Sequence, residues 1–291
     1  MPNYSIKDLE NLTGIQAHTI RIWEQRYKLL APRRTPTNIR VYADKDLRKL
    51  LSVALLNNNG LKISKIANLT DADITNAVLK LTESSDSSLE NYIDTLKLIM
   101  IEMNESKFEK LFGHLVLQLG FEEAIMKVFV PFFTRLTYLW QTESVSLSQI
   151  YFISALYKQK LYVALDGLAP ANATQRTFVF FLPKTEWSDN GLLFSNYVAR
   201  KRGFQTIFLG GDLSADEVID VVQKNPDSYF VSVATLAKID VTAYYKKILS
   251  ACNDGQRLLV TGNQAELIKI SDPHLVFVED LVEYKNFLET L

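Results

Sequence analysis

A chain of 291 residues with 47% hydrophobic residues and a net charge of −1 is long enough for about two or three domains with real cores. One cysteine, Cys252, excludes an internal disulfide, and three scattered histidines, His18, His114 and His274, offer no cluster for a metal, so no metal site is expected. No run of about 18 uncharged apolar residues is present and the first residues lack the order of a secretory signal, so a cytoplasmic location without membrane contact is expected.

The N-terminal segment reads as helix, turn, helix and basic wing. Ile6, Leu9, Leu12, Ile15, Ile20 and Trp23 recur at helical spacing, and Gly14 supplies the permissive backbone for a tight turn. The second helix, from about Gln16, keeps Ile20 and Trp23 for the core and turns Gln16, His18, Thr19, Arg21 and Arg26 outward. Such a helix enters a DNA major groove, where those side chains reach base edges or phosphates. Between Ile20 and Tyr42 six basic residues (Arg21, Arg26, Lys28, Arg33, Arg34, Arg40) and one acid (Glu24) give a local charge of +5. A polyanion gains from that field while the rest of the chain stays near neutral. Trp23 and Tyr27 are expected to pack beneath the wing rather than stack on bases.

Asp44 to Asp46 open a further helix with Leu47, Leu50, Leu51 and Leu55 on one face, and Asn57 to Gly60 stop it. A short helix follows around Ile63 to Leu69, and Thr70 to Asp73 cap the next. The small polar run Glu83 to Leu89 reads as a linker. From Asn91 to about Leu168 the pattern fits a four-helix bundle, its third helix rich in aromatics (Phe129, Phe132, Phe133, Tyr138, Trp140). Cys252, near the end of a helical stretch, reads as buried filler.

The period then changes. Thr177 to Leu182, Gln205 to Leu209, Tyr229 to Val233, Arg257 to Thr261 and His274 to Val278 are short apolar strands separated by helices. They imply a parallel sheet with helices on both faces and any ligand at the carboxyl ends of the strands: Lys184 to Gly191, Gly210 to Leu213, Ser232 to Leu236 and Gly262 to Gln264. The fold class is multidomain: an all-α winged helix-turn-helix over 1–75, a linker over 76–90, a four-helix bundle over 91–170 and an α/β flavodoxin-like (Rossmann-like) five-stranded domain over 171–291.

The Arg-x-Trp-Glu-x-Arg-Tyr run from Arg21 to Tyr27 and the Arg40 and Tyr42 pair in the wing resemble the MerR family of transcription regulators. On this reading His18, Thr19 and Arg21 meet the major groove, and Ser5, Arg26, Arg33, Arg34, Arg40 and Tyr42 meet phosphates. The order of the domains, with Gly203 to Asp212 as second strand and loop, is similar to the cobalamin-binding light-sensing branch of that family. That resemblance implies a cofactor between bundle and sheet, held on its lower face by the histidine of an Asp/Glu-x-His-x-x-Gly motif. Aligned by the glycine, this chain has Glu186, Ser188 and Gly191, with serine in the histidine position. In the bundle, the branch places a Glu-His pair ten and eleven residues after a tryptophan, and after Trp140 those positions are Ile150 and Tyr151. A serine hydroxyl is a poor substitute for an imidazole as a cobalt ligand. No cofactor is therefore expected, and Tyr151 and Trp187 are read as filling the space of a corrin ring. If any small molecule binds, Trp140, Tyr151, Glu186, Ser188, Gly191, Ser232 and Gly262 are the candidate contacts.

The function expected is that of a sequence-specific transcription regulator, a repressor, binding an inverted repeat of double-stranded DNA as a dimer or higher oligomer, since symmetric DNA needs a symmetric protein. The degenerate cobalamin-type domain would serve oligomerisation or the docking of a regulatory protein. A second reading is a sensor whose effector, cobalamin without histidine ligation or another ligand, binds between bundle and α/β domain. A third is a cobalamin-dependent enzyme component. Gly210 to Asp212 and Thr261 to Asn263 lack Gly-x-Gly-x-x-Gly or Walker spacing, and no Ser-His-Asp or paired-carboxylate set stands out, so no catalytic residue and no turnover are expected.

Overall fold

A computed structural model describes the chain apart from residues 1–2, 84–87, 172–175, 187, 236–237 and 263. Residues 1–156 and 157–291 form two compact units. Among the described residues no helix is long and apolar enough to cross a membrane.

The first unit opens with β1 (Asn3–Tyr4), α1 (Ile6–Thr13), α2 (Ala17–Tyr27), β2 (Arg33–Arg34) and β3 (Arg40–Ala43). Ser5 and Asp8 close a capping box on α1, and Gly14, at φ 72°, ends it in the left-handed conformation that the sequence anticipates. Leu9, Leu12, Ile20 and Trp23 are buried, as the helical spacing requires. The wing is a three-stranded antiparallel sheet in the order β1-β3-β2, which pairs Tyr4 with Tyr42 and Arg34 with Arg40. It is followed by α3 (Asp44–Asn58), α4 (Ile63–Ile66) and α5 (Asp71–Glu83).

The rest of the unit is helical: α6 (Leu89–Glu102), α7 (Glu105–Leu119), α8 (Phe121–Ala124), a π turn over Ile125–Phe129, α9 (Val130–Gln141) and the start of α10 (Leu147–Asp166). The widened turn falls just before Pro131, which lacks the N–H for a regular helical bond. Residues 84–87 of the expected linker lie outside the described ones. On either side of them the chain is tied together, for the Asn59 and Asn91 amides exchange two hydrogen bonds at 2.7 and 2.8 Å between α3 and α6. The buried Ser144, before α10, donates to Asp8 at 3.2 Å and accepts from Asn11 at 3.4 Å, both on α1.

The second unit takes up the end of α10 and continues as β4 (Thr177–Pro183), α11 (Asn190–Lys201), β5 (Gln205–Leu213), α12 (Ala215–Lys224), β6 (Tyr229–Val233), α13 (Val241–Leu249), β7 (Arg257–Thr261), β8 (Leu275–Phe277) and α14 (Leu281–Glu289). The five strands are parallel in the order β5-β4-β6-β7-β8. Alternate residues serve opposite faces: Val179 and Phe181 join the core with Val218, Tyr245 and Ile248 from α12 and α13. Phe178 packs edge-on against Phe204 and Tyr229 on the other face. With both faces covered, the near-continuous apolar run of β4 is what a central parallel strand needs. One expectation changes here. Gly210 to Leu213 form the end of β5 rather than a loop, because a register shift opposite Phe180 and Phe181 and the positive φ of Gly210 let pairing continue to Pro183.

Burial predicts an alkaline transition. Burial is the main cause that raises the phenols of Tyr42, Tyr157, Tyr244, Tyr245 and Tyr284 well above the ordinary 10.0, and it pushes Tyr4 up to about 12. A raised folded-state value contributes stability that is full below the unfolded value and is lost as pH rises through the folded one. Of the 13 tyrosines, these six are expected to ionise only on unfolding. Phenolate absorbance followed beside circular dichroism checks this: ionisation of all tyrosines while the fold persists would contradict it.

Candidate functional site

The basic segment is assembled by one acid. Glu24, on α2, accepts from Arg40 Nε at 3.0 Å through one carboxylate oxygen and from the Tyr42 hydroxyl at 3.1 Å through the other. The wing strand β3 is thereby fastened to α2. The Glu24 bond and charge raise the Arg40 guanidinium further above its ordinary value. Burial, and then Glu24, raise the Tyr42 phenol. Tyr42 is fully buried, so the structure corrects its expected phosphate contact: the hydroxyl is spent on Glu24 and holds the wing instead.

Gln16, His18, Arg21, Arg26, Arg33 and Arg34 are exposed, with Thr19 half-buried and its hydroxyl 3.3 Å from His18 Nε2. Arg26 lies 5.4 Å above the Tyr27 ring. Arg34 donates to Asn38 at 2.6 Å across the wing turn, where Asn38 takes a positive φ of 64°. Ser5 is exposed and already engaged in the cap of α1, accepting from the Asp8 N–H at 3.2 Å. Sequence reasoning missed Glu24 as the hub, and it missed Ile22 and Gln25, which α2 also turns outward. Counting helical angles from Ile20 and Trp23 would have found the latter two.

At the carboxyl edge of the second unit's sheet the loops bind each other. Glu186, 3% exposed, accepts from the Ser188 N–H at 3.3 Å and from the Thr235 N–H at 2.7 Å. The Thr185 N–H donates to Asp212 at 3.2 Å, and the Thr185 hydroxyl accepts from the Lys238 N–H at 2.7 Å. Gly262 has a φ of +102°, and a Cβ on it would stand 2.5 Å from the Ala234 carbonyl oxygen. The Gln264 N–H donates to that same oxygen at 2.9 Å.

The remaining candidate contacts are dispersed. Ser232 is fully buried with its hydroxyl 2.9 Å from that of Tyr245, so it faces the core beneath α13 and not the loops, a correction to its expected role. Gly191 lies in the first turn of α11 with open space around it. Trp140 is half-buried near the end of α9, and Tyr151 on α10 is 56% exposed. Trp187 lies outside the described residues. His274 lies at the amino end of the sheet, its Nδ1 3.2 Å from the Gln256 carbonyl. Burial pushes the Cys252 thiol up to about 11, and its sulfur lies 3.7 Å from the Ile248 carbonyl, which suits a packing residue. Among the described residues no group of three or more His, Cys, Asp or Glu is arranged to hold a metal.

Residues 4–73 match the family described as MerR HTH family regulatory protein. The chain is similar to the HTH-type transcriptional repressor CarH of Myxococcus xanthus, 24% identical over 242 residues, which span 80% of this chain and 79% of that one. It is 25% identical over 253 residues to the HTH-type transcriptional repressor CarA of the same organism, across 85% of this chain and 82% of the relative. In fold it resembles the monomethylamine corrinoid protein of Methanosarcina barkeri, with a TM-score of 0.54 and 16% identity over 70% of this chain and 100% of the other. With its wing held to α2 by Glu24 and its doubly covered parallel sheet, the chain is a DNA-binding transcription regulator that joins a MerR-type helix-turn-helix domain to a cobalamin-type α/β domain.

Proposed function

We propose that the chain is a cytoplasmic repressor that binds an inverted repeat as a dimer or higher oligomer, and that its α/β domain is an oligomerisation or partner-docking scaffold. One observation carries the DNA arm: the Glu24 hub holds a +5 segment in which α2 and the wing are a single basic surface. The relatives CarH and CarA are named repressors, which supports the sign of regulation. Two observations speak against cobalamin. Ser188 stands where an imidazole ligand would, with the second unit's histidine at the other end of the sheet. Glu186, Thr185 and Gly262 are engaged in closing the loops on one another. The donor set does not fit cobalt ligation, and we assign the domain no turnover.

The test is a titration with adenosylcobalamin in the dark and after illumination, read by visible absorbance, by light-scattering mass after size exclusion, and by affinity for a selected duplex. The expected result is a dimer or larger species that binds duplex with strong salt dependence, a slope of about 0.9 per phosphate neutralised. Mass and affinity should not change on adding the corrinoid. A monomer at every concentration, or a bound corrinoid spectrum with a light-dependent change in mass, would overturn the scaffold reading and restore the sensor.

A further inference from the structure

The outward face of α2 carries a residue that charge and hydrogen bonding do not explain. Ile22 is 50% exposed. Taking Ile20 and Trp23 as the inward direction and about 100° per residue, His18 and Gln25 point straight out and Arg21 and Ile22 stand about 50° to either side. The surface neighbours of Ile22 on its own helix are therefore His18, Thr19, Gln25 and Arg26, each with a hydrogen-bonding group and none of them an apolar residue. A β-branched residue is not chosen there for helix stability, since alanine is the better helix former. A single exposed isoleucine is ordinary on a protein surface. On the face that enters the major groove, however, it meets base edges, and the one apolar group those edges present is the C5-methyl of thymine.

We propose that Ile22 is a specificity-determining residue that reads the C5-methyl of one thymine in each half-site. The inference rests on the DNA-binding reading above. Burying that methyl against Ile22 is worth about fourfold in affinity per half-site, the scale of one methylene removed from water. The arrangement divides the labour along the helix: Arg26 stays at the flank for phosphate, while Ile22 supplies discrimination that salt does not weaken.

The experiment uses the full chain. Duplexes enriched from a randomised pool are resynthesised with each thymine replaced in turn by deoxyuridine, which removes the methyl and leaves base pairing intact. Wild type and Ile22→Ala are then titrated against each duplex. One position in each half-site is expected to weaken the wild type about fourfold on replacement and to leave Ile22→Ala unaffected. Ile22→Ala is expected to keep the fold, because the site is half-exposed and alanine favours the helix. If wild type and variant respond alike to every deoxyuridine, the methyl contact is absent and the proposal is overturned while DNA binding stands. If the pool yields no enriched duplex, the DNA-binding reading fails and this inference fails with it.

Discussion

Glu24→Ala is expected to cost about 2 kcal/mol of stability and to weaken duplex binding at least about tenfold. The stability loss arises because the Tyr42 hydroxyl is fully buried and donates to Glu24, so removing the acceptor strands a donor away from water. The affinity loss arises because Arg40, fastened to Glu24 at 3.0 Å, positions the wing strand relative to α2. Glu24→Gln keeps an acceptor and the side-chain length but loses the charge, so it should fall between wild type and alanine. Tyr42→Phe removes the donor, and in the Glu24→Ala background it should recover part of the lost stability. Denaturant unfolding and fluorescence anisotropy with a selected duplex measure both effects. Wild-type affinity in Glu24→Ala would show that wing and helix do not act on DNA as one surface.

Gly262→Ala is expected to be more damaging still, with a loss above about 3 kcal/mol or failure to accumulate folded protein. Two costs combine. An L-residue at φ +102° is strained, and the new Cβ would meet the Ala234 carbonyl at 2.5 Å, a backbone atom that cannot rotate away. Gly191→Ala is the internal control, since it lies in α11 with nothing within 4 Å of the added carbon, and it should be neutral or stabilising by up to about 1 kcal/mol. The contrast bears on function. If Gly262→Ala were tolerated, the loops after β6 and β7 would have room to part, and the reading of a carboxyl edge closed on itself would lose its main support.

The residue string carried more of the fold than of the site. The helix boundaries around Gly14 and the five strands were legible because each is announced by near neighbours: an apolar period of 3.6 or 2, a cap, a glycine. The charge of the basic segment was legible for the same reason, since it is a sum over a short stretch. The expectation that Ser188 stands at a histidine position needed only a motif and its spacing. Even at this level a limit appeared at β5, where local pattern ended the strand at Leu209 while the register shift against β4 carries it to Leu213.

Roles that depend on a partner far along the chain were decided by tertiary structure alone. Tyr42 and Arg40 both look like wing residues free to meet phosphate, yet one acid 16 and 18 residues earlier claims them. Ser232 sits at the end of a strand, where a ligand would be sought, and Tyr245 takes its hydroxyl into the core. Gly262 reads as a flexible loop residue until the Ala234 carbonyl is seen against it. Periodicity and composition report how a residue relates to its immediate neighbours, which determines the elements and their charge. Which polar atoms are left for DNA or ligand depends on what packing has already paired them with, and that is settled only when distant segments meet.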